Sequence, residues 1–440
     1  MTKAGAASAA ASEPAAQALS APTLLTPTLR WVLFGILCLA GISNALDRQI
    51  ISLLKTEMST ELGWDDEDYG RLAAYFQIAA AAAFLFTGWL VDKLGVKWGN
   101  VIGIAAWSIA AAAHGWASTA WHFVACRIGL GATEAMGTPL TIKTVAAVFP
   151  PNQRSLAIGL QTLIAAVGLV SMPFLIPWLN SVVGWRGAFI VAGLVGIVII
   201  ALWLIAVRGV RFDDGAELAR IDFADDSQPY GPILRERRTW AIAIAKLLSD
   251  ATWWLFLYWL PDFYRRQYGL SGGSLASAMA IAYFGSGGGA FLWGWLSTRL
   301  LDRGYSVDTV RKRIMLVSAL IVMPVPFVLQ IDSFIVVAIM MAIVLAGHQG
   351  FSLSLFSIIT DVVPRGKVGR VTAFGAFAGN LGGAAIAWIA GIVLTAGYGY
   401  LPLFVFAGSS YLLAYGWIVL LLPRIERVEG AGGTAPLPLP

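Results

Sequence analysis

Seven ionisable side chains interrupt otherwise apolar runs of this 440-residue sequence: Asp47 and Arg48, Arg127 and Glu134, Lys246 and Asp250, and His348. Their types define a chemistry. Arginine presents a planar fork of N–H donors that matches a carboxylate, so Arg48 and Arg127 suit an anionic ligand. Asp47 and Glu134 are candidate proton carriers. A guanidinium beside a carboxylate favours its ionised form, and a ligand that captures the guanidinium favours protonation. The bland reading is internal pairing, Arg48 with Glu134 or Arg127 with Asp47, purely to neutralise charge. Both can hold in turn through a working cycle. Arg127 and Glu134 lie seven residues apart, two turns along one helix face. At 1.5 Å per residue, Arg48 falls about 25 Å along its helix and Arg127 about 10 Å from the opposite start, near one level.

A second group surrounds Lys246 and Asp250. Trp253, Trp254, Tyr258 and Trp259 follow within the same segment. Such rings stack on a sugar face, or they face lipid as an interfacial belt, Trp259 above all. Tyr75, Gln77, Gln161, His348, Gln349 and Asn380 can hydrogen-bond hydroxyls, or equally hold helices together. His348 can also carry a proton. The expected ligand-binding set is therefore Arg48, Tyr75, Arg127, Gln161, Lys246, Trp254, Tyr258, His348, Gln349 and Asn380.

These residues need elements to hold them. The chain is 58% hydrophobic and 12% charged, against about 25% charged in soluble domains. A membrane span takes about 20 apolar residues, and the sequence supplies twelve. They are expected at 31–54, 70–92, 98–117, 120–148, 153–179, 186–207, 239–264, 274–301, 311–330, 333–362, 367–395 and 400–422. The fold class is an all-α membrane protein with two pseudo-symmetric six-helix halves. An ionisable group at membrane depth costs about 2.5–3.5 kcal/mol on insertion scales, which marks the few present as functional candidates.

Expected boundaries follow: a disordered tail over 1–28, a six-helix half over 29–207, a linker over 208–238, a second half over 239–423 and a tail over 424–440. The first tail has no apolar core segment and is not a secretory signal. The loops after even-numbered spans hold about 17 Lys and Arg, including Lys93, Lys97, Arg154, Arg235, Arg237, Arg311 and Arg365, against about five opposite. That bias puts both termini in the cytoplasm. It also accounts for the net charge of +5 without a nucleic-acid partner. The two cysteines, Cys38 and Cys126, fall inside predicted helices and imply no disulfide framework or metal site.

The two halves echo each other. FPPNQRSLAIG (149–159) after helix 4 resembles VPRGKVGRVTAFG (363–375) after helix 10, and GWLVDKLG (88–95) after helix 2 resembles GWLSTRLLDRG (294–304) after helix 8. Two related halves with a site between them is a transporter plan. In the first copy, Gly88 and Gly95 permit close helix approach and a tight turn. Asp92 can accept from the N-terminal end of a neighbouring helix. Lys93 and Lys97 hold the loop in the cytoplasm. Gly88-x-x-x-Asp92-Lys93-x-Gly95-x-Lys97 matches the signature between helices 2 and 3 of the major facilitator superfamily at every position, and these five residues are the expected cytoplasmic gate.

Asn44-Ala-Leu-Asp47-Arg48-Gln49 and Arg127-Ile-Gly-Leu-Gly-Ala-Thr-Glu134 resemble the anion:cation symporter family within that superfamily. So do Phe149-Pro150…Arg154 and Gly184-Trp185-Arg186-Gly-Ala-Phe189. The helix from Lys246 to Pro261, with His348-Gln349, is similar to the hexuronate transporter branch. The resemblance covers nearly all of 31–422. It implies uptake of a carboxylate, often a sugar acid, with protons. By motif position it makes Asp47 and Glu134 the proton sites and gives Arg48 and Arg127 to the carboxylate or to gating. Relatives carry other sugar acids, small aromatic acids or dicarboxylic acids.

The expectation is a proton-coupled symporter working by alternating access as a monomer in a bacterial inner membrane. It needs no cofactor, since no phosphate-binding loop is present. Its partners are a small organic anion, protons and the lipid bilayer. Carboxylate exchange is the alternative of the same class, and an anion channel the alternative of another. An intramembrane enzyme has no metal-ligand pair or nucleophile motif behind it.

Overall fold

The computed structural model describes residues 25–210, 212 and 230–425. Helix α1 (Pro27–Leu53) starts with proline in its first turn and the Thr26 hydroxyl accepting from Leu29 N–H, a favourable start on both counts. The short α2 (Lys55–Leu62) stops at Gly63, in the left-handed region. Then α3 (Asp66–Ala113) opens with a capping box in which Asp65 and Asp68 accept from each other's backbone N–H.

A single non-helical residue, Gly95 at φ 68°, interrupts α3. Gly184 at φ 71° does the same in α6 (Pro151–Ala206). Side chains disfavour that region and glycine does not. One residue thus turns the chain where loops over 93–97 and 180–185 were expected. The expected continuous helix 120–148 is instead α4 (Ala120–Glu134) and α5 (Gly137–Val148). Pro139 explains the break, because it cannot donate to the Ala135 carbonyl and its ring crowds it.

The chain continues with α7 (Tyr230–Leu234), α8 (Arg237–Tyr268), α9 (Gly272–Asp302), α10 (Val307–Val322), α11 (Phe334–Val362), α12 (Arg365–Thr395) and α13 (Leu401–Leu421). The expected span 311–330 ends early because Pro324 and Pro326 divert it into a 3-10 segment, Val325–Gln330. Among the described residues nine helical stretches are long and apolar enough to cross a membrane. Two of these cross twice, turning at Gly95 and Gly184, and α4 with α5 makes the twelfth crossing. The protein is an all-α, multi-pass membrane protein. Residues 1–24, 211, 213–229 and 426–440, which hold most of the expected tails and linker, lie outside the described residues. Within the expected 1–28 tail, α1 already begins at Pro27.

Polar links between the first six and last six crossings gather at the end that carries α2. Ser52 Oγ donates to the carbonyls of Leu257 (2.8 Å) and Tyr258 (3.2 Å). Arg265 donates to Leu53 O and Thr56 Oγ1. At the opposite end, these ion pairs between described residues lie within one set: Lys143–Asp92 in the first, Arg311–Asp361 and Lys367–Glu236 in the second. Glu61 ties α2 to the Gly184 turn by accepting from Arg186 and from the Trp185 indole. Those donors hold its carboxyl below the ordinary carboxylate range. This tie therefore persists above the ordinary value and is lost only as pH falls through the lowered one.

Candidate functional site

Asp47 and Arg48 near the end of α1 meet Arg127 and Glu134 of α4. Arg48 Nε pairs with Glu134 Oε2 at 2.5 Å. The Phe76 ring of α3 lies within 5.7 Å of the Arg48 guanidinium and 5.9 Å of that of Arg127, so its π-face supports both cations. Of the two internal pairings weighed from the sequence, only this one forms as a hydrogen-bonded contact. Both Asp47 oxygens, and Nε and Nη2 of Arg127, are enclosed without a hydrogen-bond partner. The arginines also differ in access. The Arg48 side chain is 29% exposed while Glu134 beneath it is fully covered. Arg127 is 1% exposed and packed beside Phe76, so in this arrangement Arg48 is the more accessible of the two guanidiniums.

The other expected ligand residues divide between two places. Tyr258 is buried, accepts from Gln77 Nε2 at 3.1 Å and stacks with Trp254 at 5.7 Å. Its carbonyl accepts from Tyr69 Oη at 2.9 Å. Tyr75 is half-buried on α3, and Gln161 donates to Thr141 at 3.3 Å. Earlier in α8, Lys246 pairs with Asp250 at 2.8 Å and lies 4.4 Å over the Phe356 ring. His348 stacks on Trp253 and meets Tyr411 Oη at 2.6 Å. Gln349 donates to Ser286 at 2.7 Å. Asn380 donates to Ala376 O within its own helix. A Cβ on neighbouring Gly379 would run into Asp250 Oδ2, so glycine there lets α12 approach the ion pair.

At the Gly95 turn, Asp92 accepts from Lys143 Nζ at 3.1 Å, not from a helix N-terminus. The α5 lysine reaches the turn and also donates to Val91 O. Lys93 and Lys97 lie over the Trp89 and Trp98 rings at 4.1 and 5.8 Å. A Cβ on Gly88 would meet nothing within 4 Å, so close approach does not account for that glycine.

Sequence reading missed a network joining the two sets of crossings at the α2 end. Lys55 Nζ pairs with Asp66 (2.6 Å) and Asp262 (2.7 Å). Arg266 pairs with the same two carboxylates at 2.6 and 2.7 Å. Tyr400 Oη donates to Asp262 at 2.5 Å. A cleft of about 430 Å³ opens beside it. Lys55 also lies 4.5 Å over Trp259, which is buried rather than facing lipid. The signal was faint: Lys55 falls one residue past the expected first span, and Asp262 follows Pro261 at a span end. The network joins the two sets of crossings at this end, the arrangement of a latch. Lys55→Met should loosen it and speed labelling of a Gln77→Cys reporter, in a background lacking Cys38 and Cys126, by an impermeant thiol reagent on the α2 side. A roughly tenfold rise corresponds to about 1.4 kcal/mol; an unchanged rate would remove the latch assignment.

Comparison with known proteins bears on this geometry. The chain is 24% identical over 402 residues to a D-galactonate transporter of Escherichia coli O6:H1, covering 87% of this chain and 93% of that one. It is 25% identical over 426 residues to the hexuronate transporter of Escherichia coli K12, covering 94% and 98%. Its fold matches a bacterial homologue of the human lysosomal transporter Spinster with a TM-score of 0.68 at 17% identity, covering 90% and 96%. The model of the Major Facilitator Superfamily matches residues 37–384. With twelve crossings, a buried charged cluster and this match over most of its length, the chain belongs to the Major Facilitator Superfamily and is a transporter rather than an enzyme.

Proposed function

We propose that this protein is a proton-coupled symporter that imports an organic anion, a sugar acid such as a hexuronate, by alternating access between two six-helix halves. One observation carries the reading: Arg48 is open to a ligand while it pairs with the covered Glu134. A substrate carboxylate taking the Arg48 fork removes the counter-charge of Glu134. Glu134 then takes a proton from solvent, because an unpaired charge in that setting is costly. Asp47, whose oxygens lack donors, is the second proton site. Arg127 keeps the cluster from becoming net negative. The sugar-acid transporters among the relatives support the substrate class.

Both termini face the cytoplasm of a bacterial inner membrane in this reading, since Lys93, Lys97, Arg154, Arg237 and Arg311 crowd the Gly95 end. The latch then seals the outer face, and the Gly95 motif works as the inner gate of a monomer.

Uptake by proteoliposomes tests the proposal, with glucuronate, galacturonate, galactonate, glucarate, tartrate and aromatic acids as substrates. Saturable uptake of an acid with a proton signal is expected. Uptake that needs a counter-acid and moves no proton would point to exchange, and non-saturating current to a channel. Binding of a cation and of none of the acids would overturn the anion assignment.

A further inference from the structure

The Lys246 group is not part of the Arg48 cluster. Helices α1 and α8 run in the same direction and are registered by the Ser52 contacts with Leu257 and Tyr258. Arg48 precedes Ser52 by four residues, about 6 Å of helix, whereas Asp250 and Lys246 precede Tyr258 by eight and twelve, about 12 and 18 Å. Lys246 and Asp250 therefore stand roughly 6–12 Å farther from the latched end than Arg48. An extended six-carbon chain, with five bonds of about 1.5 Å, spans roughly 6 Å. Along the helix axes, that length brings the other end of a ligand whose carboxylate is on Arg48 to the level of this group.

The group's chemistry decides what that end can be. Lys246 and Asp250 neutralise each other across 2.8 Å, with side chains 7% and 16% exposed. Ser249 Oγ also donates to Asp250 at 3.3 Å. Tyr411 Oη contacts both Ser249 O (3.1 Å) and His348 Nδ1 (2.6 Å). A carbonyl oxygen has no proton, so both contacts are hydrogen bonds only if Tyr411 donates to Ser249 O and His348 Nδ1–H donates to Tyr411. In the neutral ring that leaves His348 Nε2 an acceptor. Nε2 has no partner among the described residues and is not fully enclosed, although the residue is only 6% exposed. The group offers an ammonium donor, a carboxylate acceptor and an imidazole acceptor with no net charge. Hydroxyls, which both donate and accept, match it. A second carboxylate would face Asp250 and find no unpaired cation.

We propose that Lys246, Asp250 and His348 form a net-neutral subsite that reads the hydroxyl end of a monocarboxylate sugar acid, so that the transporter selects monoacids over the diacids of the same carbon skeleton. The inference rests on the sugar-acid reading above.

Competition binding to the full-length protein tests it with two matched pairs, galactonate against galactarate and glucuronate against glucarate. Galactonate and galactarate differ only in whether the far carbon is a CH2OH or a carboxylate. In the second pair the far carbon is the aldehyde carbon, closed as a ring hemiacetal in glucuronate, against a carboxylate in glucarate, so the first pair is the decisive one. The monoacid should bind at least tenfold more tightly. Asp250→Asn, which leaves the Lys246 ammonium unpaired, should shift each ratio toward the diacid by tenfold or more. His348→Phe, which keeps the stack on Trp253, should weaken galactonate several-fold. Equal or tighter binding of the diacids by the unmodified protein would overturn the subsite while leaving sugar-acid transport intact. An unshifted ratio in Asp250→Asn would remove Asp250 from it. If Asp250→Asn does not fold, the ratio in the unmodified protein decides. Failure of all four acids to bind would instead overturn the sugar-acid reading itself.

Discussion

Glu134→Gln is expected to abolish pH-driven accumulation of substrate while leaving counterflow exchange largely intact. Glutamine keeps the shape of the side chain and an oxygen that can accept from Arg48. It cannot take up or release a proton. In the proposed cycle, substrate binding and protonation are linked because both act on the Arg48–Glu134 pair. The variant is locked in the neutral form, so substrate still binds and the halves still exchange. A pH gradient no longer performs work through this site. In proteoliposomes, accumulation should fall from many-fold above equilibrium to equilibrium, and counterflow should stay within two- to threefold of the unmodified protein. Normal proton-driven accumulation by the variant would end the role of Glu134. Loss of counterflow as well would place it in substrate binding instead.

Arg48→Lys should weaken substrate binding by about 10- to 100-fold. Lysine keeps the charge and removes the fork. Hydrogen bonds to charged groups are worth about 1.5–3 kcal/mol, and one such loss corresponds to that range. The contrast is with Arg127, which is enclosed at 1% exposure. Arg127→Lys should disturb folding or proton coupling more than affinity. Equilibrium binding of galactonate or glucuronate at fixed pH measures the difference. If Arg127→Lys costs the larger share of affinity while the protein stays folded, the carboxylate belongs to Arg127, and the enclosed arginine must open during binding.

Much of the fold was legible because lipid imposes a simple rule on a sequence. Every crossing must be apolar and helical, so spans are visible as runs, and breaks in runs as turns. The limits lay where a single residue did the work. Gly95 and Gly184 turn the chain alone, and Pro139 breaks a crossing that otherwise reads as continuous. Hydropathy averages over such positions.

The site was legible as a set of residue types and not as an arrangement. Charges inside apolar runs identify Asp47, Arg48, Arg127, Glu134, Lys246, Asp250 and His348, since placing them there is costly and rare. Which of them pair depends on helices far apart in the chain: Arg48 and Glu134 lie 86 residues apart, and Lys55 and Asp262 lie 207 apart. Composition and spacing determined by themselves that this chain crosses a membrane many times with arginines and carboxylates at depth. The tertiary structure decided that Arg48 is partly open while Arg127 is enclosed, that Lys246 pairs with Asp250, and that Lys55, Asp66, Asp262 and Arg266 join the two sets of crossings at one end. The physical reason is that a side chain's charge is a property of its residue, whereas its partner and its access to solvent are properties of how the helices pack.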